Sequence, residues 1–171
     1  MKKGSKLYWL LTIITIILAV AINGYIIMHS CLDASESTKA SAGVIEVVEN
    51  VINTIKPNTI TSENYHSFAT FIRKAFGHFG LFVISGLLTS LALYLSLSPF
   101  IWAKHYMNVM FSLVIGLFMG ILTEVIQLSV PGRSGQLSDV LIDFSGYLFG
   151  TLIIGLILFL SIRKIRRSKR A

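Results

Sequence analysis

A chain of 171 residues, 54% hydrophobic and only 13% charged, lies outside the range of ordinary soluble domains and is expected to form one membrane-embedded domain. Its net charge of +7 does not point to nucleic acid, because the basic residues gather at the chain ends instead of forming a stripe interleaved with aromatics. The single cysteine, Cys31, excludes an internal disulfide.

Four stretches are long and apolar enough to cross a bilayer, which takes about 20 helical residues. They are residues 7–28, 76–97, 106–130 and 140–162. Ser98-Pro99 ends the second and Pro131-Gly132 the third, since proline lacks the donor that would continue a helix. Met28-His29-Ser30-Cys31 is not expected to be a lipoprotein signal, because the run before it is too long for a signal-peptide core. Cys31 reads as an interfacial thiol.

Residues 30–73 separate the first two spans. Their first part, SCLDASESTKASAG, is rich in Ser, Thr and Ala and reads as loop. The following VIEVVENVINTI sets Val44, Val48, Val51, Ile52 and Ile55 on one helical face, with Glu46, Glu49, Asn50 and Asn53 largely on the other. It is expected to be a short amphipathic helix, lying on the membrane surface or packed as a lid on the bundle, and ended by Lys56-Pro57-Asn58.

Charge sets the expected orientation. With four spans, Lys2, Lys3, Lys6, Lys104 and the basic tail of residues 163–171 share one side, so ten basic and no acidic residues face the cytoplasm. Both termini are then cytoplasmic, residues 30–73 are extracellular, and Trp102 and Tyr106 suit an inner interfacial belt. The tail RKIRRSKR begins where an apolar span ends, which makes it a stop-transfer cluster held by anionic headgroups.

Three polar patches then fall at one depth near the outer end. Lys74 and His78 are four apart, Glu124 and Gln127 three apart, and Asp139 and Asp143 four apart, so each pair shares a helical face. Gly116 and Gly120 lead to Glu124 at intervals of four, Gly146 and Gly150 continue the Asp139-Asp143 face, and Ser85 and Thr89 continue that of His78. Close helix contact and polar site therefore belong to one seam. Unpaired charges in lipid cost about 2.5–3.5 kcal/mol each at mid-membrane, so Lys74, His78 and Arg133 are expected to meet Glu124, Asp139 and Asp143. A set of structural ion pairs that fixes helix register is the bland alternative.

Arg133 stands in PGRSGQ, where flanking glycines allow a tight turn and a guanidinium can grip phosphate or carboxylate. The plain alternative pairs it with Glu124 and makes Ser138 the cap of the fourth helix. No spacing matches a metal motif and no GxSxG occurs, so neither a metal, a cofactor nor a serine hydrolase is expected. His29, His66 and His105 read as solvated or interfacial.

The segments RKAFGHFGLFVISGLL and TEVIQLSVPGRSGQLSDVLIDFSGYLFG resemble the VanZ-like family of bacterial membrane proteins, named after a protein associated with low-level teicoplanin resistance. The matching positions are Lys74, His78-Phe79, Glu124, Gln127, Pro131-Gly132-Arg133, Asp139, Asp143 and Gly146, across roughly the second half of the chain. Ser145 and Tyr147 flank the glycine where the pattern has a polar or small residue before it and a small one after it, so Tyr147 departs from the pattern. The resemblance implies a multi-pass plasma-membrane protein with a role in glycopeptide tolerance, and it supplies no reaction.

Residues and resemblance together lead to an all-α integral membrane protein of four transmembrane helices, with Lys74, His78, Glu124, Gln127, Arg133, Asp139 and Asp143 binding an anionic or lipid-linked envelope component. One alternative is a membrane enzyme on a lipid-linked phosphate, with His78 or Glu124 as general acid or base. Another is a small transporter, ranked last because the ionisable groups sit near one end and the cytoplasmic half of each span reads as apolar with Gly.

Overall fold

The structure is a computed structural model that describes residues 5–97 and 105–168. The expectations for Lys2, Lys3, Trp102, Lys104, Lys169 and Arg170 fall outside these residues, as do those for the side chains of His105, Tyr106, Lys164, Arg166 and Arg167. Helix α1 is Lys6–Ser30, α2 Ala34–Ile55, α3 Tyr65–Ile72, α4 Leu81–Leu97, α5 His105–Leu128 and α6 Leu137–Ser168. A π-helical segment, Arg73–Gly80, joins α3 to α4 without a break. There is no strand among the described residues.

Among the described residues, four helices are long and apolar enough to span a membrane, namely Lys6–Ser30, Tyr65–Leu97, Met107–Leu128 and Leu137–Ser161. Their outer surfaces are apolar: Ile17, Val20, Val114, Phe118, Leu141 and Phe159 are all more than half exposed. The interior is rich in polar groups, with Thr12, Ser85, Ser112, Thr123, Asp143 and Thr151 at 2% exposure or less. Water would drive the reverse distribution; a bundle solvated by lipid tails keeps its hydrogen-bonding groups inside.

Contacts along the helices fix their directions. Tyr8 hydroxyl donates to the Leu95 carbonyl and Asn23 meets Ser85 and Thr89, so α1 runs antiparallel to α4. Ser112 faces Thr151 and Gly116 faces Tyr147, so α5 runs antiparallel to α6. Lys74 faces Asp139, His78 faces Asp143, and Val83 faces Gly150, so the α3–α4 rod and α6 run parallel. The start of α1 and the end of α6 thus share one end of the bundle, away from α2.

The α4–α6 seam is the closest. A Cβ on Gly146 would overlap the Phe79 carbonyl and one on Gly150 the Val83 carbonyl, so backbone meets backbone there. Tyr147, the departure from the family pattern, is fully buried, with its ring over Gly116. It packs with Ile26, Phe82 and Met119 as the apolar core. The bulky ring is accommodated because the facing helix lacks a side chain at that point.

Two expectations are corrected. The Ser/Thr/Ala-rich stretch is helix and not loop: Asp33 and Glu36 form a reciprocal capping box that starts α2 ten residues before Val44. The apolar face of α2 is also turned, since Ile45 and Val48 pack on Phe68, Ala69 and Ile72 while Val44, Val47, Val51 and Ile55 are exposed. The apolar rod expected over residues 76–97 is the later part of a longer helical stretch that starts at Tyr65, and the last helix continues through the basic run from Arg163 to Ser168. The stop after Ile55 is where Lys56-Pro57-Asn58 placed it, with Asn58 at a φ of 60°.

Candidate functional site

The seam opens at the α2 end into a chamber of ~800 Å³. Its floor is built by the parallel register. Asp139 and Asp143 project from successive turns of α6. Opposite them, Lys74 and His78 project from the π-helical segment, where bonding to i+5 widens each turn and a four-residue step falls slightly short of a full revolution. The two ladders therefore meet rung for rung: Lys74 Nζ donates to Asp139 Oδ1, and His78 Nδ1 lies 3.0 Å from Asp143 Oδ1. His78 Nε2 is 3.9 Å from Asp139 Oδ2, so the imidazole touches both rungs.

The third wall is α5. Glu124 is 5% exposed, and its Oε2 accepts the Gln136 backbone N–H at 2.8 Å. That bond ties the carboxylate to the turn entering α6, where the helix N-terminus favours negative charge. Its Oε1 is buried without a hydrogen-bond partner. Thr123 donates to the Gly120 carbonyl at 2.9 Å and lies 3.5 Å from Asp143 Oδ2, steadying the second oxygen of that carboxylate. One ligand-type atom each from His78, Glu124 and Asp143 lie within 4.8 Å of one another. Buried carboxylates this close to one another need a positive partner between them.

Arg133 does not pair with Glu124. Among the described residues its guanidinium has no hydrogen bond or ion pair, and it lines the chamber with Gln127, Lys74 and Arg73. Gly132, at a φ of 72°, makes the turn that presents it; this is a backbone conformation glycine adopts without strain. Nor is Ser138 the helix cap, because α6 already starts at Leu137 and the Ser138 hydroxyl reaches Gln136 and Asp139. Of the seven residues singled out in sequence, Lys74, His78, Glu124, Asp139 and Asp143 form one cluster, and Gln127 and Arg133 stand on the wall above it.

Residues 12–159 match the sequence profile described as VanZ/LLP1. The chain belongs to the VanZ/LLP1 family. No curated protein and no solved structure matches it. The match takes in most of α1, all of α2 and most of α6, so the relationship to the VanZ/LLP1 family reaches well beyond the second half of the chain, where the motifs had suggested it.

Several features of this VanZ/LLP1 chamber were not foreseen. Its α2 wall comes from residues 34–44, which is the part read as loop together with Val44, the first residue of the amphipathic stretch after it. Arg73 fastens that wall by donating from Nη1 to Thr38 Oγ1 at 3.3 Å. His29, whose ring lies 4.4 Å from that of Tyr25 and tilted by 46°, and His66 line the chamber as well. The capping signature Asp33-Ala34-Ser35-Glu36 could have revealed the wall. Nothing in the spacing of His29 and His66 could have done so.

Below the cluster the bundle is not merely apolar with glycine. Asn23, Ser85 and Thr89 are hydrogen-bonded across α1 and α4, and Ser112 bonds Thr151 at 3.1 Å across α5 and α6. Asn108 is buried with an unpartnered Oδ1. These groups are uncharged, and the ionisable cluster stays at the α2 end.

Proposed function

We propose that this VanZ/LLP1 protein lies in the bacterial plasma membrane with both termini cytoplasmic and α2 outside, and that its chamber binds an anionic, lipid-linked envelope component, thereby altering teicoplanin sensitivity. The orientation rests on the sequence: ten basic residues and no acidic one fall in the segments that four spans assign to one side, while all eight acidic residues fall in the rest of the chain. The binding rests above all on one observation, the unpaired Arg133 guanidinium on the wall of a ~800 Å³ chamber. A planar fork of donors at the edge of the bilayer suits a phosphate or carboxylate headgroup. Lys74, neutralised by Asp139, adds no free charge, so Arg133 and Arg73 are the anion-seeking groups.

The test replaces Arg133 by Ala in a host where the intact protein confers teicoplanin tolerance, with membrane levels confirmed by immunoblot. Tolerance is expected to fall to the level of the empty host, and lipid retained in native mass spectrometry is expected to be lost with it. Unchanged tolerance at equal protein level would remove the support for this reading.

Catalysis on a lipid-linked phosphate is a second reading, favoured by the His78–Asp143 contact of 3.0 Å. An imidazole oriented by a buried carboxylate is the arrangement a general base needs. Incubation of the purified protein with labelled envelope lipids tests it, and full recovery of every lipid unaltered would count against it.

A further inference from the structure

We infer that His78, Glu124 and Asp143 form a binding site for one divalent transition cation of the zinc type on the chamber floor. Three separate helical segments bring these residues together, and the inference stands on the three side chains alone, whatever fills the chamber above them.

The first observation is proximity. An imidazole nitrogen and two carboxylate oxygens lie within 4.8 Å of one another, and His78 Nδ1 is 3.0 Å from Asp143 Oδ1. Ligands about 2.0–2.2 Å from a common zinc ion stand some three to three and a half ångström apart, so small rotations of the side chains close the set. The second observation is independent of it. Glu124 is 5% exposed, and its Oε1 has no partner although Oε2 is held by the Gln136 N–H. A buried carboxylate oxygen rarely goes unmet, and a bound cation is one of the few physical explanations for it.

Charge agrees. Lys74 and Asp139 neutralise each other, and the ammonium is committed to that pair. Glu124 and Asp143 then leave two negative charges facing one imidazole in a poorly hydrated place. A doubly charged cation bound by a neutral His78 makes the cluster neutral, which one proton cannot do. Binding exchanges the proton between His78 Nδ1 and Asp143 Oδ1 for the metal, and the released proton leaves through the chamber. Thr123 would orient the carboxylate from behind, as groups outside the ligand set do in metal centres.

The ligand types choose the ion. One nitrogen and two carboxylates suit zinc or a similar first-row cation, whereas calcium takes six to eight oxygens and magnesium few protein ligands. His78 and Asp143 line the chamber, so a further coordination position faces it.

The test uses the tag-free full chain in detergent, stripped with chelator and then equilibrated with zinc chloride. One equivalent per chain is expected to survive gel filtration, as read by elemental mass spectrometry, and zinc is expected to raise the thermal midpoint. Glu124→Gln and His78→Ala are each expected to weaken binding at least about tenfold, and Arg133→Ala to leave it intact. Wild-type protein with no zinc above the buffer level would overturn the inference, as would an undiminished equivalent in folded Glu124→Gln. Should that variant fail to elute as a folded species, Co²⁺ loading of the unaltered chain decides. Intense ligand-field bands of an inner-sphere site are expected, and the spectrum of the aqueous ion would refute it.

Discussion

His78 on the π-helical segment and Asp143 on α6 meet at 3.0 Å, one helical turn deeper than Lys74 and Asp139, and the two contacts have the same sequence separation of 65 residues. Equal separation means that the two rods run parallel and in register, so a single rigid-body fit places both pairs. The pairs differ in environment. Asp143 is 1% exposed at its side chain, whereas Lys74 is 32% exposed.

Double-mutant cycles should therefore rank the two pairs. In chelator-containing detergent buffer, His78→Ala with Asp143→Asn is expected to give a coupling of about 0.5–3 kcal/mol. Lys74→Ala with Asp139→Asn is expected to give below about 1 kcal/mol, because that pair is partly solvated. Raising salt should weaken the Lys74 coupling more than the His78 coupling. Denaturant unfolding of the four single and two double variants measures both, and the reverse order would contradict the buried floor described above.

The backbone contacts at the seam make a second prediction. Gly150→Ala places a methyl group on the Val83 carbonyl and is expected to lower stability by about 1–3 kcal/mol, although alanine is the better helix former. Gly24→Ala, at a position with nothing within 4 Å, is expected to be neutral or slightly stabilising. Thermal midpoints of the two purified variants test this contrast within one protein.

Orientation has a native probe. Cys31 is the chain's one cysteine, and it is exposed at the end of α1 next to α2. In intact cells it is expected to react with a membrane-impermeant maleimide, while a cysteine introduced at Ser168 in a Cys31→Ser background should react only after lysis. Labelling of the Ser168 position in intact cells, with Cys31 protected, would reverse the proposed topology.

Much of the fold was legible in sequence because lipid imposes a single long apolar period on each span. The seam was legible too, since Gly146 and Gly150 repeat in phase with Asp139 and Asp143, and phase survives folding. Individual partners were not. The plain alternative pairs Arg133 with Glu124 by charge, yet one oxygen of that carboxylate, Oε2, accepts the Gln136 backbone N–H, a donor that side-chain reading does not count. The wall of residues 34–44 was missed because a Ser/Thr/Ala composition resembles loop, whereas the local capping box at Asp33 decides for helix. The shared depth of the three patches does foretell that His78, Glu124 and Asp143 gather in one place, but which of their atoms come within 4.8 Å depends on the register of three helical segments, which no spacing gives.

The widened backbone coil at Arg73–Gly80 couples two things that look separate. Ala69 and Ile72, on one side of it, carry α2, while Phe82, on the other, is anchored in the core. Lys74 and His78 are mounted on the coil itself. Were it to tighten to ordinary α-helical bonding, everything toward Tyr65 would twist against the anchored half. The α2 wall and the imidazole would swing together, like a latch and its bolt cut from one bar, so a change in this one coil would alter both the mouth of the chamber and the aim of its floor.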